Sequence, residues 1–312
     1  MTCEVPELEI VETKPLNAEE GVLVDNHSLL NILHVLDAEL QLLGLALEGQ
    51  AGALALSLDR TSEFAASLKN RDRTMTVVAS MDSEAVVILE EVAELLNRYP
   101  GRRHEPEVAD AEASIMGVLD ILKCRCRELV TRGREPGKWE PMHISELRQK
   151  FLDVLSAMET HGRERFHIAY NLALQGPQDY YIDLKLEGVD GATISLPGEF
   201  VDVMRDLIAN ARKYTAPGGL ILANLHQSAK EVRFVVQDTG RGIPDAELAK
   251  VVEFGYRGSN VQDVKTRGGG FGLTKAYLVT RRFGGRFWIA SKLGAGTRIR
   301  VVIPRPESLS EK

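Results

Sequence analysis

Aromatic residues, clustered positive charge and long apolar runs are all scarce in this 312-residue sequence. Aromatics make up 6% of the chain, and 38 lysines and arginines are outnumbered by 45 aspartates and glutamates, for a net charge of −7. Non-specific nucleic-acid binding needs clustered cations and often stacked aromatics, so this class of function is excluded. No apolar run approaches the roughly 18–20 residues that cross a bilayer, and the acidic start does not resemble a signal peptide. We therefore expect a cytoplasmic protein that has no membrane span and binds no nucleic acid.

Cysteine is also rare. The three cysteines are Cys124 and Cys126, which form a Cys-x-Cys pair, and the distant Cys3. An odd number of cysteines in a long chain does not make a disulfide framework, and no Cys/His cluster accompanies the pair. We interpret Cys124 and Cys126 as buried thiols of a helix rather than as a metal or redox site.

Glycine divides the chain into two halves, because 17 of the 27 glycines follow residue 187. The first half is rich in Leu, Ala, Glu and Val. We predict a tail at 1–23, an all-α bundle at 24–135, a linker at 136–142, an α+β two-layer sandwich at 143–305 and a tail at 306–312. The linker is placed where two prolines and two glycines within ten residues cannot continue a helix.

The first predicted helix carries a leucine seam with the 4-3-4-3-4 spacing of a coiled coil or bundle. Asp25 or Asn26 is expected to cap its start. Further helices are expected at 83–99 and 107–132, and 50–80 is also interpreted as helical, with room for a small sensory or interaction insert within 50–110. A seam must be covered within the chain or by a second chain, and we expect a homodimer with a four-helix core. The seam residues are Leu29, Leu33, Leu36, Leu40, Leu43 and Leu47.

Strands and helices alternate in the second half. Because the strands are grouped apart from most helices, a two-layer sandwich is favoured over a doubly wound sheet. The predicted helices are 144–163, 197–214 and 273–283. The predicted strands are 166–172, 180–186, an antiparallel pair at 219–226 and 231–238, and a closing pair at 285–290 and 297–303.

The first motif of this half lies on the helix at 197–214. Asp206 and Asn210 are four residues apart, so both side chains emerge on one helix face. A carboxylate and an amide oxygen together suit Mg²⁺, which keeps several waters and takes further ligands from phosphates. Lys213 adds a positive charge within reach of a phosphate. Taken alone, the pattern also fits a solvated helix face.

The second motif is the strand end Asp238-Thr-Gly240-Arg-Gly242-Ile243-Pro. Both glycines permit close approach of the backbone or a positive φ. Asp238 at a strand terminus can accept a hydrogen bond from an exocyclic amine, and an acceptor left unpaired disfavours a base that lacks the amine. The alternative interpretation is an ordinary hairpin turn.

The third motif is a run of glycines that leads into a helix, Arg267-Gly-Gly-Gly270-Phe-Gly272-Leu273-Thr-Lys. Glycines before a helix N-terminus form a cradle of backbone N–H groups for phosphates. The run is neither a P-loop nor a dinucleotide-binding fingerprint, and alone it also fits a flexible loop. A fourth motif, Gly294-Ala-Gly-Thr297, is a turn that feeds the final strand.

In this order and spacing, the four motifs resemble the N, G1, G2 and G3 boxes of the ATP-binding domain shared by histidine kinases, DNA gyrase, the large heat-shock chaperone ATPases and MutL (the Bergerat or GHKL fold). The resemblance covers about 143–305 and implies ATP and Mg²⁺ as cofactors. It implies that Asn210 ligates Mg²⁺, that Asp238 binds the adenine amine with support from Thr297, and that Asp206 either supports the metal or activates water. The remaining implied nucleotide contacts are Lys213, Tyr214, Gly240, Gly242, Ile243, Gly268, Gly270, Gly272 and Leu273.

A further phrase, Val252-Glu-Phe-Gly-Tyr256, resembles the F box of histidine kinases, with Val252 in place of an aromatic residue. By this resemblance the segment 246–267 is the ATP lid. Because this segment is polar and poor in large apolar residues, we expect it to be mobile until nucleotide orders it.

Around His27 the sequence reads His27-Ser-Leu-Leu-Asn31-Ile-Leu33. On the leucine seam, His27, Asn31 and His34 face away from the apolar side. The pattern resembles the H box of several histidine kinase subfamilies and of the sporulation phosphotransferases. It implies that His27 accepts a phosphoryl group, while Asn31 is expected to position water for dephosphorylation of the regulator. His34 is the alternative acceptor, and an exposed residue without a role is another interpretation.

These resemblances imply a soluble sensor histidine kinase that transfers the γ-phosphoryl group of ATP to His27 and then to an aspartate in the receiver domain of a response regulator. One alternative is a phosphotransfer or scaffold protein with a degenerate ATPase-like domain. The other is a serine kinase of the anti-sigma type, although that type usually lacks a long helical dimerisation domain.

Overall fold

A computed structural model describes residues 5–160, 167–171, 173, 175–263 and 270–309. The chain forms two compact units: Leu16–Pro136, and Met1–Pro15 together with Gly137–Lys312. The helical unit is therefore inserted into the chain of the other unit, between its first and second strands.

The helical unit contains five α-helices in the described residues: α1 (Ala18–Glu48), α2 (Ala55–Leu68), α3 (Arg71–Ala79), α4 (Met81–Arg98) and α5 (Pro106–Arg134). The helices expected at 83–99, at 107–132 and within 50–80 are confirmed. Their ends follow from local chemistry, because Pro100 follows α4 and Pro106 occupies the first turn of α5, where a missing N–H costs nothing.

The start of α1 was predicted wrongly. The N-cap is Asn17, whose side chain accepts a hydrogen bond from the Glu20 amide while the Glu20 carboxylate accepts one from the Asn17 amide. This capping box satisfies two backbone donors at once and starts the helix earlier than Asp25 or Asn26 would. The expected tail at 1–23 therefore contains the first turns of α1 and also a short strand.

All six leucines of the seam are buried, with exposures of 0–4%. They form one apolar core with residues of the other helices, among them Leu68, Ile88 and Leu122. Because this core lies within a single chain, the seam does not require a second chain to cover it. The expectation of a homodimer loses the premise on which it was based.

Among the described residues, α1 has the length and composition of a membrane-crossing helix, which was not expected from the sequence. An 18-residue window of α1 has a mean hydropathy of 1.4 and few charges, and 39% of that window is buried inside the protein. The apolar face of α1 nevertheless has an explanation in the packed core of the helical unit. Soluble bundles carry such helices because a leucine-rich stripe is what their cores require.

The second unit is an α+β two-layer sandwich, as predicted. In the described residues its strands are β1 (Leu8–Ile10), β2 (Trp139–His143), β3 (Ile168–Ala169), β4 (Tyr180–Glu187), β5 (Thr193–Pro197), β6 (Leu220–Gln227), β7 (Glu231–Asp238), β8 (Arg286–Lys292) and β9 (Gly296–Pro304). The main sheet has the order β1-β8-β9-β7-β6-β4-β3, and β2 pairs with β5. The helices are α6 (Ile144–Thr160), α7 (Gly198–Tyr214) and α8 (Gly272–Arg282).

Apolar residues of α6, α7 and α8 share one core with alternate residues of the sheet, including Phe151, Phe200, Phe234 and Phe287. The alternation is clear in β7, where every second side chain is buried. This period of two is why β4, β6, β7 and β9 could be predicted from sequence, whereas the five central residues of β8 are all buried. The antiparallel pairing of β6 with β7 is confirmed, and so is the closing pair of β8 and β9, which is also antiparallel.

The structure corrects three segments of the predicted architecture. The expected linker at 136–142 contains most of β2, which pairs with β5, a strand that was not predicted. A strand was expected at 166–172, but among its described residues only the two residues of β3 form a strand. The ends of the expected strand, Phe166 and Leu172, lie outside the described residues. The expected tail at 306–312 includes a 3-10 turn at Glu307–Leu309.

Candidate functional site

Asn210 lies on the face of α7 that meets the start of α8. A Cβ built on Gly272 would come 2.8 Å from Nδ2 of Asn210, so the two residues are in close contact. No hydrogen bond joins the Asn210 side chain to a protein group in the described part of the chain, which leaves its amide oxygen available. An unbonded amide oxygen at a helix N-terminus fits Mg²⁺ that is bound together with phosphate oxygens. Among the described residues, no group of three or more His, Cys, Asp or Glu could hold a metal ion by itself.

Asp206 lies one turn before Asn210 and forms an ion pair. Its Oδ2 is 3.2 Å from Nζ of Lys275 in α8, and Oδ2 of Asp202 lies 4.0 Å from the same nitrogen. The Lys275 side chain is only 6% exposed. Sequence reasoning missed Lys275, although a lysine directly after Gly272-Leu273-Thr274, at the start of a helix, is a signal that could have drawn attention to it.

Asp238 ends β7 and is 9% exposed. Its Oδ1 accepts hydrogen bonds from the backbone amides of Gly240 at 2.8 Å and of Thr297 at 3.2 Å. In the described residues Oδ2 has no such donor. Burial raises the pKa of Asp238 to about 6, and these two hydrogen bonds counteract part of that effect. The carboxyl group is thus fixed in orientation and has one oxygen ready to accept a hydrogen bond from a ligand amine.

Thr297 supports Asp238 through its backbone rather than through its hydroxyl. The Oγ1 of Thr297 lies 2.9 Å from Oγ of Ser291. Ser291 is 2% exposed; it donates to the carbonyl of Gly296 at 2.8 Å and accepts from the amide of Ile243 at 2.8 Å. Ser291 therefore holds the Gly242–Ile243 turn against β8 and β9, a role that sequence reasoning did not assign.

The backbone geometry at position 242 requires a glycine. Its φ is +69°, and an added Cβ would come 2.0 Å from the carbonyl oxygen of Lys292. Gly240 also leaves no room, because its Cβ would lie 2.5 Å from the carbonyl oxygen of Tyr214. The Arg241 amide donates to that same Tyr214 oxygen at 3.1 Å. The turn after β7 therefore contacts the C-terminal end of α7, which brings Asp238, Gly240 and Tyr214 together.

Lys213 and Tyr214 form the last turn of α7 and are both partly buried. Burial lowers the pKa of Lys213 to about 8, with a smaller contribution from the charge of Arg257. Burial also raises the pKa of Tyr214. The Nζ of Lys213 lies 5.1 Å from the centre of the Tyr214 ring, a cation–π distance. A cation held in such surroundings gains strongly from a nearby phosphate.

The glycine run is described from Gly270 onward, and Gly268 lies outside the described residues. Gly270 has a φ of +81°, and α8 begins at Gly272 with Leu273 in its first turn. The first amides of α8 have no partner within the helix and so can bind an anion.

The segment expected to be a mobile lid is packed in its described part, through residue 263. Val251, Val252 and Val261 are buried, with Val252 at 0% exposure. Val252 is therefore a core residue, and the aromatic contact of this segment is instead made by Phe254, whose ring stacks on Phe271 at 4.6 Å. Small apolar side chains thus anchor a segment that is otherwise polar, and its ordering by nucleotide stays a prediction.

His27 was predicted to face outward, but it is buried in the helical unit at 9% exposure. Its Nε2 lies 3.0 Å from Nδ2 of Asn31, which is partly buried. The neighbouring Asn26 donates to the Leu68 carbonyl at 2.7 Å and to the Thr74 hydroxyl at 3.1 Å. Side chains of α1 meet α2 and α3 here, so a second face is covered besides the seam. His34, by contrast, is exposed.

The two neighbouring cysteines differ in environment. Cys126 is buried, and burial together with the charge of Asp82 raises the pKa of its thiol to about 12, so it is unreactive. Cys124 is exposed, contrary to the expectation that both are buried.

Residues 197–307 match the family model described as histidine kinase-, DNA gyrase B- and HSP90-like ATPases. Among curated proteins, the adaptive-response sensory kinase SasA of Synechococcus elongatus is 36% identical over 109 residues, which is 35% of this chain and 28% of SasA. The sensor protein SrrB of Staphylococcus aureus is 31% identical over 105 residues, which is 34% of this chain and 18% of SrrB. The chain thus aligns with less than a third of the length of either relative. A solved structure of a mycobacterial sensor histidine kinase, MprB, is 21% identical, with a TM-score of 0.39, and the match covers 54% of this chain and 99% of that one.

Proposed function

We propose that this chain, whose residues 197–307 form an ATPase domain of the histidine kinase, gyrase B and HSP90 type, is an ATP-dependent protein-histidine kinase. The observation that carries the proposal is the fixed, buried carboxyl group of Asp238, which keeps one oxygen available for an adenine amine. The sensory kinase SasA and the sensor protein SrrB each match about a third of the chain.

Each part of ATP has a candidate partner. The adenine amine would donate to Asp238, with Tyr214 and Ile243 beside the base. The phosphates would bind the first amides of α8 and the Lys213 ammonium, whose pKa is lowered to about 8 by burial. Asn210 would hold Mg²⁺, which supplies charge neutralisation for the transferring phosphoryl group. The protein's own contribution is mainly to position these groups in a partly desolvated site.

In the proposed reaction, the bond between the γ-phosphorus and the bridging oxygen of ATP breaks and ADP leaves. A P–N bond forms at the imidazole of His27, and the imidazole proton passes to solvent. The phosphoryl group would then pass to an aspartate of a response-regulator receiver domain. Because His27 is 9% exposed and its Nε2 contacts Asn31, this step requires that the face of α1 that carries His27 become accessible.

The burial of His27 gives two alternatives weight. His34 on the same helix is exposed and would accept the phosphoryl group without rearrangement. A kinase of the anti-sigma type, which phosphorylates a serine of another protein, would not use His27 at all. The degenerate scaffold is disfavoured, since Asn210, Asp238 and the start of α8 keep the features that nucleotide binding needs.

We also infer a cytoplasmic location, because the apolar face of α1 is used by the core of the helical unit. We also propose a homodimer, on the basis of the resemblance to histidine kinases. The leucine seam does not support this proposal, because it is covered within the chain.

The test is incubation with γ-labelled ATP and Mg²⁺, followed by analysis of the labelled bond. We expect a label that is stable to alkali and labile to acid, and that is lost in His27→Ala but kept in His34→Ala. Loss in His34→Ala alone would move the acceptor to His34. An acid-stable label on an added protein would support the anti-sigma type, and absence of nucleotide binding at millimolar ATP would overturn the kinase proposal.

A further inference from the structure

Lys275 is a buried cation that the proposed reaction does not use. It lies one turn into α8, and its side chain is 6% exposed. A lysine is rarely buried to this extent unless it is paired, because moving an ammonium group out of water is costly. The packing of α8 against α7 places this ammonium opposite two carboxylates.

The carboxylates and the proposed metal ligand form one stripe. Asp202, Asp206 and Asn210 are spaced by four residues along α7 and so share a helix face. Nζ of Lys275 lies 3.2 Å from Oδ2 of Asp206 and 4.0 Å from Oδ2 of Asp202. Asp202 also pairs with Arg205 at 3.1 Å.

The contact between Asp206 and Lys275 is electrostatic rather than a directed hydrogen bond, because Oδ2 of Asp206 has no hydrogen-bond partner in the described residues. The ammonium therefore occupies the position that a cation would take beside this carboxylate. A second cation at the same place would be repelled by Lys275.

We infer that Lys275 acts as an internal counter-ion that keeps Asp206 away from the metal and from proton transfer. Asp206 is then a positioning residue. Its ion pair with Lys275 holds α7 against α8 one helical turn away from the contact between Asn210 and Gly272. The site admits Mg²⁺ only through Asn210 and the phosphates, so metal binds with nucleotide and not before it. This inference rests on the proposed function for its setting, but its first test needs no nucleotide.

The first test is Mn²⁺ binding to the full chain without nucleotide, followed by electron paramagnetic resonance. Lys275→Met uncovers Asp202 and Asp206, and we expect it to bind Mn²⁺ at least 10-fold more tightly than the unmodified chain. The double variant Lys275→Met/Asp206→Asn should lose that gain. Lys185→Met is the matched control, because Lys185 also lies 3.2 Å from an aspartate, Asp183, but is 62% exposed. Equal Mn²⁺ affinity of Lys275→Met and the unmodified chain would overturn the inference.

The second test is the single-turnover rate of phosphoryl transfer by Asp206→Asn at saturating ATP. Loss of a general base lowers a rate by about 10²–10⁴-fold. We expect a decrease of less than about 10-fold, and a loss of 100-fold or more with unchanged ATP affinity would overturn the inference. If Lys275→Met does not fold, the rate measured for Asp206→Asn alone tests the inference. If the unmodified chain transfers no phosphoryl group, the proposed function fails, while the Mn²⁺ measurement still decides the role of Lys275.

Discussion

The backbone amide of Thr297 donates a hydrogen bond to Oδ1 of Asp238 over 3.2 Å, across 59 positions of sequence. The bond joins the start of β9 to the end of β7, two strands that are neighbours in the sheet. It fixes the carboxyl group without using the Thr297 hydroxyl, which contacts Ser291 instead. In the proposed complex with ATP, recognition of the adenine would thus depend on strand register more than on the side chain at 297.

The fixed carboxyl group should select adenine over hypoxanthine. Inosine triphosphate lacks the amine, so Oδ2 of Asp238 would stay unpaired in its complex, at a cost of about 1–3 kcal/mol. We expect ATP to bind roughly 5- to 150-fold more tightly than inosine triphosphate in titration calorimetry. In Asp238→Ala this preference should nearly vanish. A preference that persists in Asp238→Ala would place the adenine elsewhere.

Asp238 also predicts the acidic limit of nucleotide binding. Its pKa is raised to about 6 in the folded chain, and the ionised form is the one that accepts from the amine. The Kd for ATP should therefore rise as the pH falls through about 6, and at higher pH Asp238 should no longer affect it. The same shift means that Asp238 contributes stability below its ordinary pKa of 3.8, and this contribution is lost as the pH rises through about 6. Denaturation of the nucleotide-free chain between pH 4 and 7 measures the second effect, whose opposite sign would contradict this assignment.

The pKa of Lys213 predicts how ATP binding weakens at alkaline pH. Burial lowers its pKa to about 8, so its positive charge is present at neutral pH and is lost above pH 8. ATP affinity should fall as the pH rises from 7.5 to 9.5, by about 10- to 150-fold, because a hydrogen bond to a charged group contributes about 1.5–3 kcal/mol. Lys213→Met should bind weakly at every pH in this range, with a flat profile. A profile of Lys213→Met that keeps the alkaline fall would assign it to another group.

Replacement of Gly242 by alanine tests the turn after β7. The variant combines a positive φ of 69° with a Cβ that would lie 2.0 Å from the Lys292 carbonyl oxygen. Gly191→Ala is the matched control, because its φ is +71° but nothing lies within 4 Å of its Cβ. We expect urea denaturation to give a loss of about 1–2 kcal/mol for Gly191→Ala, and a larger loss for Gly242→Ala because the clash adds to the backbone strain. Equal losses would mean that the turn moves freely.

Asn26 is predicted to stabilise the helical unit. Asn26→Ala removes the two hydrogen bonds to Leu68 and Thr74 and leaves a buried carbonyl unpaired. The free energy of unfolding should fall by about 1–3 kcal/mol. Asn97→Ala, at an exposed position of α4, should change it by less than about 0.5 kcal/mol. If both variants behave alike, the buried bonds around Asn26 do not contribute.

Sequence periodicity predicted the long helices and the alternating strands, because a repeat of 3.6 or 2 residues is a local property. The resemblance of the four motifs to an ATP-binding domain implies that Asn210, Asp238 and the start of α8 belong to one site, and this stays a prediction. β2 and β5 escaped prediction because they are short and form only in contact with each other. The same holds for Ser291 and Lys275, whose partners are distant in sequence and are defined only by the packed fold.

The burial of His27 shows a different limit of prediction from sequence. A heptad assignment describes one seam, and it places His27 on the outer side of that seam. In the helical unit α1 is covered on more than one face, as the bonds from Asn26 to Leu68 and Thr74 demonstrate. The number of neighbours of a helix is a tertiary property that the repeat of a single helix does not encode.

The strand β1 pairs with β8, and Glu9 forms a bidentate ion pair with Arg286, although α1 follows only a few residues later. The bundle is consequently joined to the sandwich by two covalent connections, near residues 15 and 136. A single cut near residue 15 leaves the bundle covalently joined to most of the sandwich. A single cut near residue 136 leaves the bundle joined covalently only to β1, which is held to β8 by hydrogen bonds and ion pairs. Removal of the first fifteen residues would have a further effect, because it would expose the backbone of β8 as a free sheet edge.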